Sequence, residues 1–500
     1  MKRAEYILAF DEGTTGTRVI AFDRAGRVRS VGYAELPLRF PHPGWVEQRG
    51  EEIWAATLRA LRQALRPIGG ARASIAAIGI TNQRETTLIW DRGTSKPVAP
   101  AIVWQDRRTA ARCDALRRAG KERAIQSRTG LRLDPYFSAT KVEWILRNVA
   151  GVRARARRGQ LAFGTVDTWL LWKLTAGASH ATDATNASRT MLYDIRHHRW
   201  DPSLLRTFSI PRSLLPEVRP SISDFGKTSG VPGLRDGIPI LGIAGDQQAA
   251  LFGQGCVEAG GMKNTYGTGC FLLLHTGRKR IASPKGLLVT IACGPRGEPR
   301  YALEGSVFMA GATIQWLRDA LGVVASASET EAIARSVPDT AGTTLVPAFA
   351  GLGAPYWKPD ARGVWCGLTR GATRAHLVRA ALESIAFQSR DLVEAMRDAS
   401  RDRVRELRVD GGASHNDFLM QFQADILGVP VRRPGMVETT ALGASLLAGI
   451  GAGWWRRASD LQAVRASEKV FRPRMKRAER DRLYRGWIGA VEMLLSSRGS

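Results

Sequence analysis

The stretch FDEGTTGTR, Phe10 to Arg18, sets a carboxylate beside a run of glycine and threonine. Such residues suit a tight turn that exposes backbone N–H groups and hydroxyls, a concave set of donors of the kind that holds a phosphate. Asp11 next to it suits the magnesium ion that accompanies nucleotide phosphates, usually through water. A similar stretch, Tyr266-Gly267-Thr268-Gly269, stands far downstream. Between the two lie Arg84 and Glu85, a donor and an acceptor able to grip the hydroxyls of a polyol, and Trp104 and Tyr136, flat walls for its carbon edge. Asp246 follows the apolar run IPILGIAG and is a carboxylate able to act as general base on a hydroxyl. The pair Gly411-Gly412 lets backbone approach a flat ligand such as an adenosine.

Each feature also has a plainer reading. A Gly/Thr turn makes an ordinary hairpin. Arg84 and Glu85 are adjacent, and neighbours on an extended segment point to opposite faces, so a mutual salt bridge is not expected and a solvated loop pair is the simplest local reading. Each aromatic, taken alone, is core packing. Asp246 stands where a strand ends and a helix begins, and position alone favours an N-cap aspartate. The first loop is no P-loop, because no Gly-Lys-Ser/Thr follows. Nor is it a dinucleotide fingerprint, since a second strand follows the turn where that fold needs a helix.

The elements that must position these residues follow from periodicity. Tyr6 to Asp23 reads strand, turn, strand; Glu51 to Arg66 has helical spacing; Ser74 to Thr81 reads as a buried strand, with short strands at Leu88–Trp90 and Ala101–Trp104. Tyr136 to Asn148 begins in a loop and becomes a helix, and Thr182 to Ser188 is a polar turn read as structural. Ile238 to Gly245 is a strand opening a helix at Asp246, and Lys263 to Leu274 is a second Gly/Thr hairpin. Strands at Tyr301–Phe308, Leu345–Ala348, Leu407–Asp410 and Val431–Arg433 alternate with helices at Gly311–Leu321, Thr373–Ala399, from Asn416 and at Thr440–Ile450. A basic amphipathic helix follows Pro473. Two such hairpins in one chain suggest duplicated α/β folds facing each other.

Five hundred residues exceed one compact core, so two domains are expected, joining near residues 253–262: 1–253 and 254–500. The net charge of +27 comes from arginines spread along the whole chain, which favours a compositional bias over nucleic-acid binding. The 5 cysteines are scattered without a CxxC pair, arguing against a disulfide framework or zinc site and fitting a reducing cytoplasm. No signal peptide and no membrane span are read.

Hairpins with an acid at the end of the first strand resemble the first phosphate loop of actin-like ATPase folds. Taken together, FDEGTTGTR, PGWVEQ (Pro43–Gln48), GITNQRETT (Gly79–Thr87), IVWQDRRT (Ile102–Thr109), LDPYFSATKVEWIL (Leu133–Leu146), FGTVDTWLLWKLT (Phe163–Thr175), GIAGDQQAALFGQ (Gly242–Gln254), KNTYGTGCF (Lys263–Phe271), ALEGSVFMAGATIQWLRD (Ala302–Asp319) and LRVDGGASHNDFLMQFQADIL (Leu407–Leu427) resemble the FGGY carbohydrate kinase family essentially end to end. The resemblance implies two duplicated actin-like ATPase (ribonuclease H-like) domains with a cleft between them. It also implies ATP-dependent phosphorylation with magnesium, the ITNQRETT block pointing to glycerol, and sn-glycerol 3-phosphate as product, rather than to a pentose or hexose. Asp246 matches the family's general base, against the cap reading. Arg84, Glu85, Tyr136 and Gln247 match substrate-binding positions, with Trp104 and Phe271 as apolar walls. Thr14, Thr15, Gly16 and Arg18 match the first phosphate loop, Gly16 standing where some relatives have serine, and Thr268 matches the second. Gly311, Gln315, Gly412 and Asn416 match the nucleotide pocket. Asp11, with Asp246, would hold magnesium, Asp11 through water. A homo-oligomer, dimer or tetramer, is implied as well.

Two departures stand out. Glu12 replaces a glutamine common in relatives, and a negative charge near phosphates is unhelpful unless it points away. In LRDG, Leu234 to Gly237, the arginine of a fructose 1,6-bisphosphate site is replaced by Gly237 and Arg235 is displaced, which implies weak or absent inhibition by that sugar phosphate. A kinase for another small polyol or a ketose, and a non-catalytic actin-like ATP-binding protein, are the alternatives.

Overall fold

The computed structural model describes residues 5–282, 286–358, 360–436, 438–456, 460 and 468–496. The first half is built on a five-stranded sheet of β1 (Tyr6–Glu12), β2 (Gly16–Phe22), β3 (Val28–Glu35), β4 (Ile75–Asn82) and β5 (Ile240–Gly245), in the order β5-β4-β1-β2-β3. The apolar runs predicted as buried strands are buried: Ile7, Leu8, Ala9 and Phe10 are all solvent-inaccessible, as continuous Ile/Val/Phe-rich strands must be when both faces of a sheet are covered. One cover is α1 (Gly50–Leu65), whose Ile53, Ala60, Leu61 and Ala64 face the core while Glu51 and Glu52 lie in its first turn, complementing the helix dipole.

The second half is built on β6 (Met262–Tyr266), β7 (Cys270–Gly277), β8 (Leu288–Cys293) and β9 (Pro299–Val307), then α3 (Gly311–Asp319) and the long α4 (Arg374–Ser400). There follow β10 (Leu407–Asp410), α5 (Asp417–Leu427), β11 (Val431–Pro434), α6 (Thr439–Gly451), β12 (Glu468–Phe471) and α7 (Arg477–Ser496). The strands form a seven-stranded sheet, β8-β9-β7-β6-β10-β11-β12. The run β3-β2-β1-β4-β5 matches β9-β7-β6-β10-β11 in order. It matches in direction too, with two antiparallel pairings on one side of the central strand and two parallel ones on the other. The duplication expected from the two hairpins is present, in the two-domain actin-like ATPase fold.

The halves meet through α6 and α2 (Asp246–Gly253), the helices that follow equivalent strands. A Cβ at Gly443 would lie 1.9 Å from the carbonyl oxygen of Ala249, so only glycine permits this crossing. Helix α6 also lies on the first-half sheet, where a Cβ on Gly79 would come within 2.1 Å of the Ala444 carbonyl oxygen. The helix after Pro473 begins at Arg477 and docks on α4, with Tyr484 Oη and Trp487 Nε1 donating to the two Asp391 oxygens at 2.7 and 2.9 Å. It is surface packing, as expected. All five cysteines are free, and among the described residues no helix is long and apolar enough to cross a membrane.

Candidate active site

The first hairpin turn joins β1 to β2, with Asp11 opposite Arg18 and Glu12 opposite Thr17. The Gly13 N–H donates to the Gly16 carbonyl at 3.0 Å and closes the turn. Two glutamines hold it from behind: Gln48 Nε2 donates to the Thr14 carbonyl at 2.7 Å and Gln83 Nε2 to the Gly13 carbonyl at 3.2 Å. Engaging these carbonyls on protein donors leaves the amide side of the turn for an anion. Thr15 is exposed, and the partly buried Arg18 stacks over Tyr33 at 5.4 Å and lies 3.9 Å from Glu438. A Cβ at Gly16 would lie 2.5 Å from the Tyr33 ring, so glycine here is matched to that tyrosine.

The second hairpin turn is exposed at Gly267 and Thr268 and is clamped onto the start of α3. The Gly311 N–H donates to the Gly267 carbonyl, and those of Ala310 and Ala312 to the Thr268 carbonyl, all at 3.0 Å. Gly411, at φ +85°, crosses the end of β6, where a Cβ would lie 2.5 Å from the Tyr266 carbonyl oxygen. Next to it Gly412 opens on empty space, with no atom within 4 Å of a Cβ position. Gln315 is exposed one turn after Gly311. Asn416 is committed locally: its Oδ1 caps α5 by accepting from the Leu419 N–H at 2.9 Å, and its Nδ2 donates to Thr330 at 3.1 Å.

Trp104 ties the hairpins together. Its Nε1 donates to Thr14 Oγ1 at 2.9 Å, and its ring meets Tyr136 edge-on at 5.6 Å and Phe271, on the second hairpin, at 6.5 Å. The three aromatics therefore form one wall, not separate pieces of core.

The polar floor beside this wall corrects two local readings. Arg84 and Glu85 are buried, not solvated, and they do meet, Nε to Oε1 at 3.8 Å. The reason is the backbone: Glu85 sits at φ 63°, so the segment turns where an extended one would have sent the pair to opposite faces. Asp246 is not an N-cap. Gly245 occupies the cap position of α2, and Asp246 is its first residue, with Oδ1 accepting from the Gln247 N–H at 2.6 Å and lying 3.2 Å from Arg84 Nε. Its side chain keeps 31% exposure beside an Arg84 of 2%, so it is the member of the pair that faces the opening.

Several residues escaped the sequence reading. Glu304, from β9, accepts from Arg84 Nη1 at 2.6 Å, and Arg189 donates to both Glu85 and Glu304 at 2.6 and 2.9 Å. Burial alone would raise the Glu304 carboxyl, but the guanidiniums of Arg189 and Arg84 hold it down at about 2. Lys263 Nζ donates to Gln247 Oε1 and, at 2.8 Å, to Thr265 Oγ1, and burial lowers its ammonium to about 8. A charge inside an otherwise apolar strand, as in YALEGSVF or at the start of KNTYGTG, is the signal that could have found Glu304 and Lys263. Arg189 follows the polar run Thr182–Ser188, which is itself buried and holds the strand before Asp246: the Gly245 N–H donates to Thr185 Oγ1 at 2.9 Å.

Asp11 is pushed up to about 7, chiefly by burial, with Arg18 opposing and the neighbouring Glu438 and Asp246 adding to it. Two carboxylates close enough to repel each other are the kind of donor set magnesium uses when phosphates and water complete its shell. Among the described residues no group of three or more His, Cys, Asp or Glu side chains could hold a metal ion by itself, so an ion at Asp11 and Asp246 would need phosphate and water to complete its shell.

Glu12 does point away. Thr17 Oγ1 donates to its Oε1 at 2.6 Å, and its Oε2 lies 3.1 Å from Thr57 Oγ1, on α1. The Thr57 hydroxyl has one hydrogen, which goes to the Ile53 carbonyl at 2.8 Å and leaves the oxygen free to accept from a protonated Glu12. Burial raises Glu12 from 4.5 to about 8, against its threonine contacts, so at neutral pH it is mostly protonated and adds little charge beside the phosphate loop. Glu12→Gln reproduces both bonds and is expected to leave turnover at pH 7 unchanged. Because the native state keeps this proton longer than the unfolded chain does, the group's stabilisation is present below pH 4.5 and is lost as pH rises to about 8. The unfolding free-energy advantage of Glu12→Gln over the parent, read by denaturant titration, should grow across that window, by up to about 1.4 kcal/mol per pH unit, and flatten above it. An advantage that does not vary with pH would contradict the neutral acid.

The chain matches the model of the FGGY family of carbohydrate kinases, N-terminal domain, over residues 6–253, and that of the C-terminal domain over residues 262–452. It is 56% identical over 487 residues to a glycerol kinase of Shewanella sp. strain MR-4, covering 97% of this chain and 98% of the relative. It is 55% identical over 492 residues to a glycerol kinase of Deinococcus radiodurans, covering 98% of each. The crystal structure of Plasmodium falciparum glycerol kinase with ADP superposes with a TM-score of 0.93 at 36% identity, over 98% of both chains. With both domain models matched in order and near-complete coverage by these relatives, the chain belongs to the FGGY family of carbohydrate kinases.

Proposed function

We propose that this protein transfers the γ-phosphoryl group of ATP to glycerol, giving sn-glycerol 3-phosphate and ADP. The observation that carries the reading is the meeting of Arg84 and Asp246 at 3.2 Å beside the Trp104–Tyr136–Phe271 wall, between two hairpins that present amides and threonine hydroxyls. Near-full-length identity of 55–56% to glycerol kinases supports the choice of glycerol.

In this reading the glycerol hydroxyls lie against Arg84, Glu85, Tyr136 and Gln247, its carbon edge against Trp104 and Phe271. Asp246 takes the proton of the attacking hydroxyl. The turns at Thr14–Thr15 and Thr268, with Arg18, hold the phosphates in line, and the opening at Gly412 near Gly311 and Gln315 takes the adenosine. Asn416, which also caps α5, belongs to that pocket in this reading. Phosphoryl transfer asks little covalent chemistry of a protein, so positioning and electrostatic stabilisation supply most of the rate. Magnesium, held by Asp11 and Asp246, would neutralise charge on the phosphates. Closure of the two domains must exclude water, or ATP would be hydrolysed. The boundary near residue 253, a homo-oligomer of two or four chains and a cytoplasmic location complete the proposal.

A substrate panel tests the specificity. Glycerol should exceed erythritol and xylulose in kcat/KM, because a buried Arg84 or Glu85 left without its hydroxyl is penalised; a higher value for either competitor would refute the choice. Fructose 1,6-bisphosphate should inhibit weakly or not at all, since Gly237 offers no guanidinium where the resemblance places an arginine and Arg235 is displaced from that position. Potent inhibition in a steady-state assay would overturn that expectation.

A further inference from the structure

Beneath the site four charged side chains, Arg84, Glu85, Arg189 and Glu304, form a buried network, each 3% exposed or less. Three come from the first half of the chain; Glu304 alone comes from the second, on β9. We propose that Glu304 is a positioning residue for the substrate: it fixes the plane of the Arg84 guanidinium from the opposite sheet, so that polyol binding is complete only when the two halves are brought together. This rests on the reading of Arg84 as a substrate-binding residue.

The hydrogen count on Arg84 carries the inference. A guanidinium has five N–H donors. Glu304 Oε2 and Gln248 Oε1 take those of Nη1, at 2.6 and 3.3 Å, and Glu304 Oε1 takes one from Nη2 at 3.1 Å. What remains is Nε and the second Nη2 hydrogen. These face Asp246 Oδ1 at 3.2 Å and Tyr136 Oη at 3.5 Å, which are the candidate base and the aromatic wall. Two parallel bonds to one carboxylate set the orientation of the fork as well as its charge. The stem is pinned too: a Cβ at Gly245, next to Asp246, would lie 2.8 Å from Arg84 Cγ and Cδ. Glu304 therefore occupies the back of the guanidinium and leaves its front for substrate. Arg189, with its ring contacts to Tyr136 and Phe137, holds the other side of Glu304 and links it to Glu85.

A pair that served stability alone would leave the glycerol KM unmoved, so a double-mutant cycle read in KM separates the two roles. Glu304→Gln should raise the glycerol KM about tenfold or more, leave the ADP dissociation constant by calorimetry unchanged, and lower kcat far less than it raises KM. In an Arg84→Ala background the same change should add almost nothing to the glycerol KM. Glu304→Asp keeps the charge but is one methylene shorter; it guards against misfolding of the glutamine variant and should also raise the glycerol KM. An unchanged glycerol KM in these variants, or a Glu304 effect that multiplies fully with that of Arg84, overturns the proposal. Failure of the parent enzyme to phosphorylate glycerol would instead overturn the function proposed above.

Discussion

Asp246→Asn is expected to lose at least about 10²-fold in turnover, the low end of what a general base contributes. The substitution keeps shape and keeps the oxygen that accepts the Gln247 N–H at 2.6 Å, so α2 retains its first turn. What it removes is the basic lone pair and the charge beside Arg84 Nε. Glycerol and nucleotide should still bind, so the loss belongs to kcat and to single-turnover rates. A protein that only binds ATP would be indifferent to the change.

Arg84→Ala is expected to have the next largest effect, and on two observables. Each charged hydrogen bond lost to glycerol should cost about 1.5–3 kcal/mol, a weakening of the glycerol KM by roughly ten- to a hundredfold. The same truncation strips Glu304 of its bidentate partner and leaves a buried carboxylate with Arg189 and a distant share of Lys263. Removing one partner of a buried pair is strongly destabilising, by about 3–5 kcal/mol, so the melting temperature should fall as well. Arg84→Lys restores charge without the fork and should recover stability better than glycerol affinity. A normal glycerol KM in a folded Arg84→Ala variant would remove Arg84 from the site.

Local chemistry was legible in the chain and long-range completion was not. Both Gly/Thr hairpins, the strand before Asp246 and the helix after it follow from short-range pattern, and the structure has them. Periodicity placed Arg84 and Glu85 at a strand end but could not give the positive φ at Glu85 that turns the pair together. Their partners lie about 100 and 220 positions away, at Arg189 and Glu304, and no spacing rule reaches that far. The same holds for Glu12, which is buried against Thr57 of α1, 45 positions away. A reading that places the boundary between the halves near residue 253 also does not reveal that α6, from the second half, lies on the sheet of the first, because that follows only from which glycines face which carbonyls. The cap reading of Asp246 failed by one residue, a distance at which strand-to-helix junctions are not resolved by pattern.

In the proposed function two Gly/Thr turns and Asp246 form a single phosphoryl-transfer site for glycerol. The most direct test is release of ADP by the purified full-length protein in a coupled assay, with and without glycerol and with and without magnesium. Release should require both, with sn-glycerol 3-phosphate formed in equal amount. ADP released at the same rate without glycerol, or ATP bound with no release at all, would contradict that function.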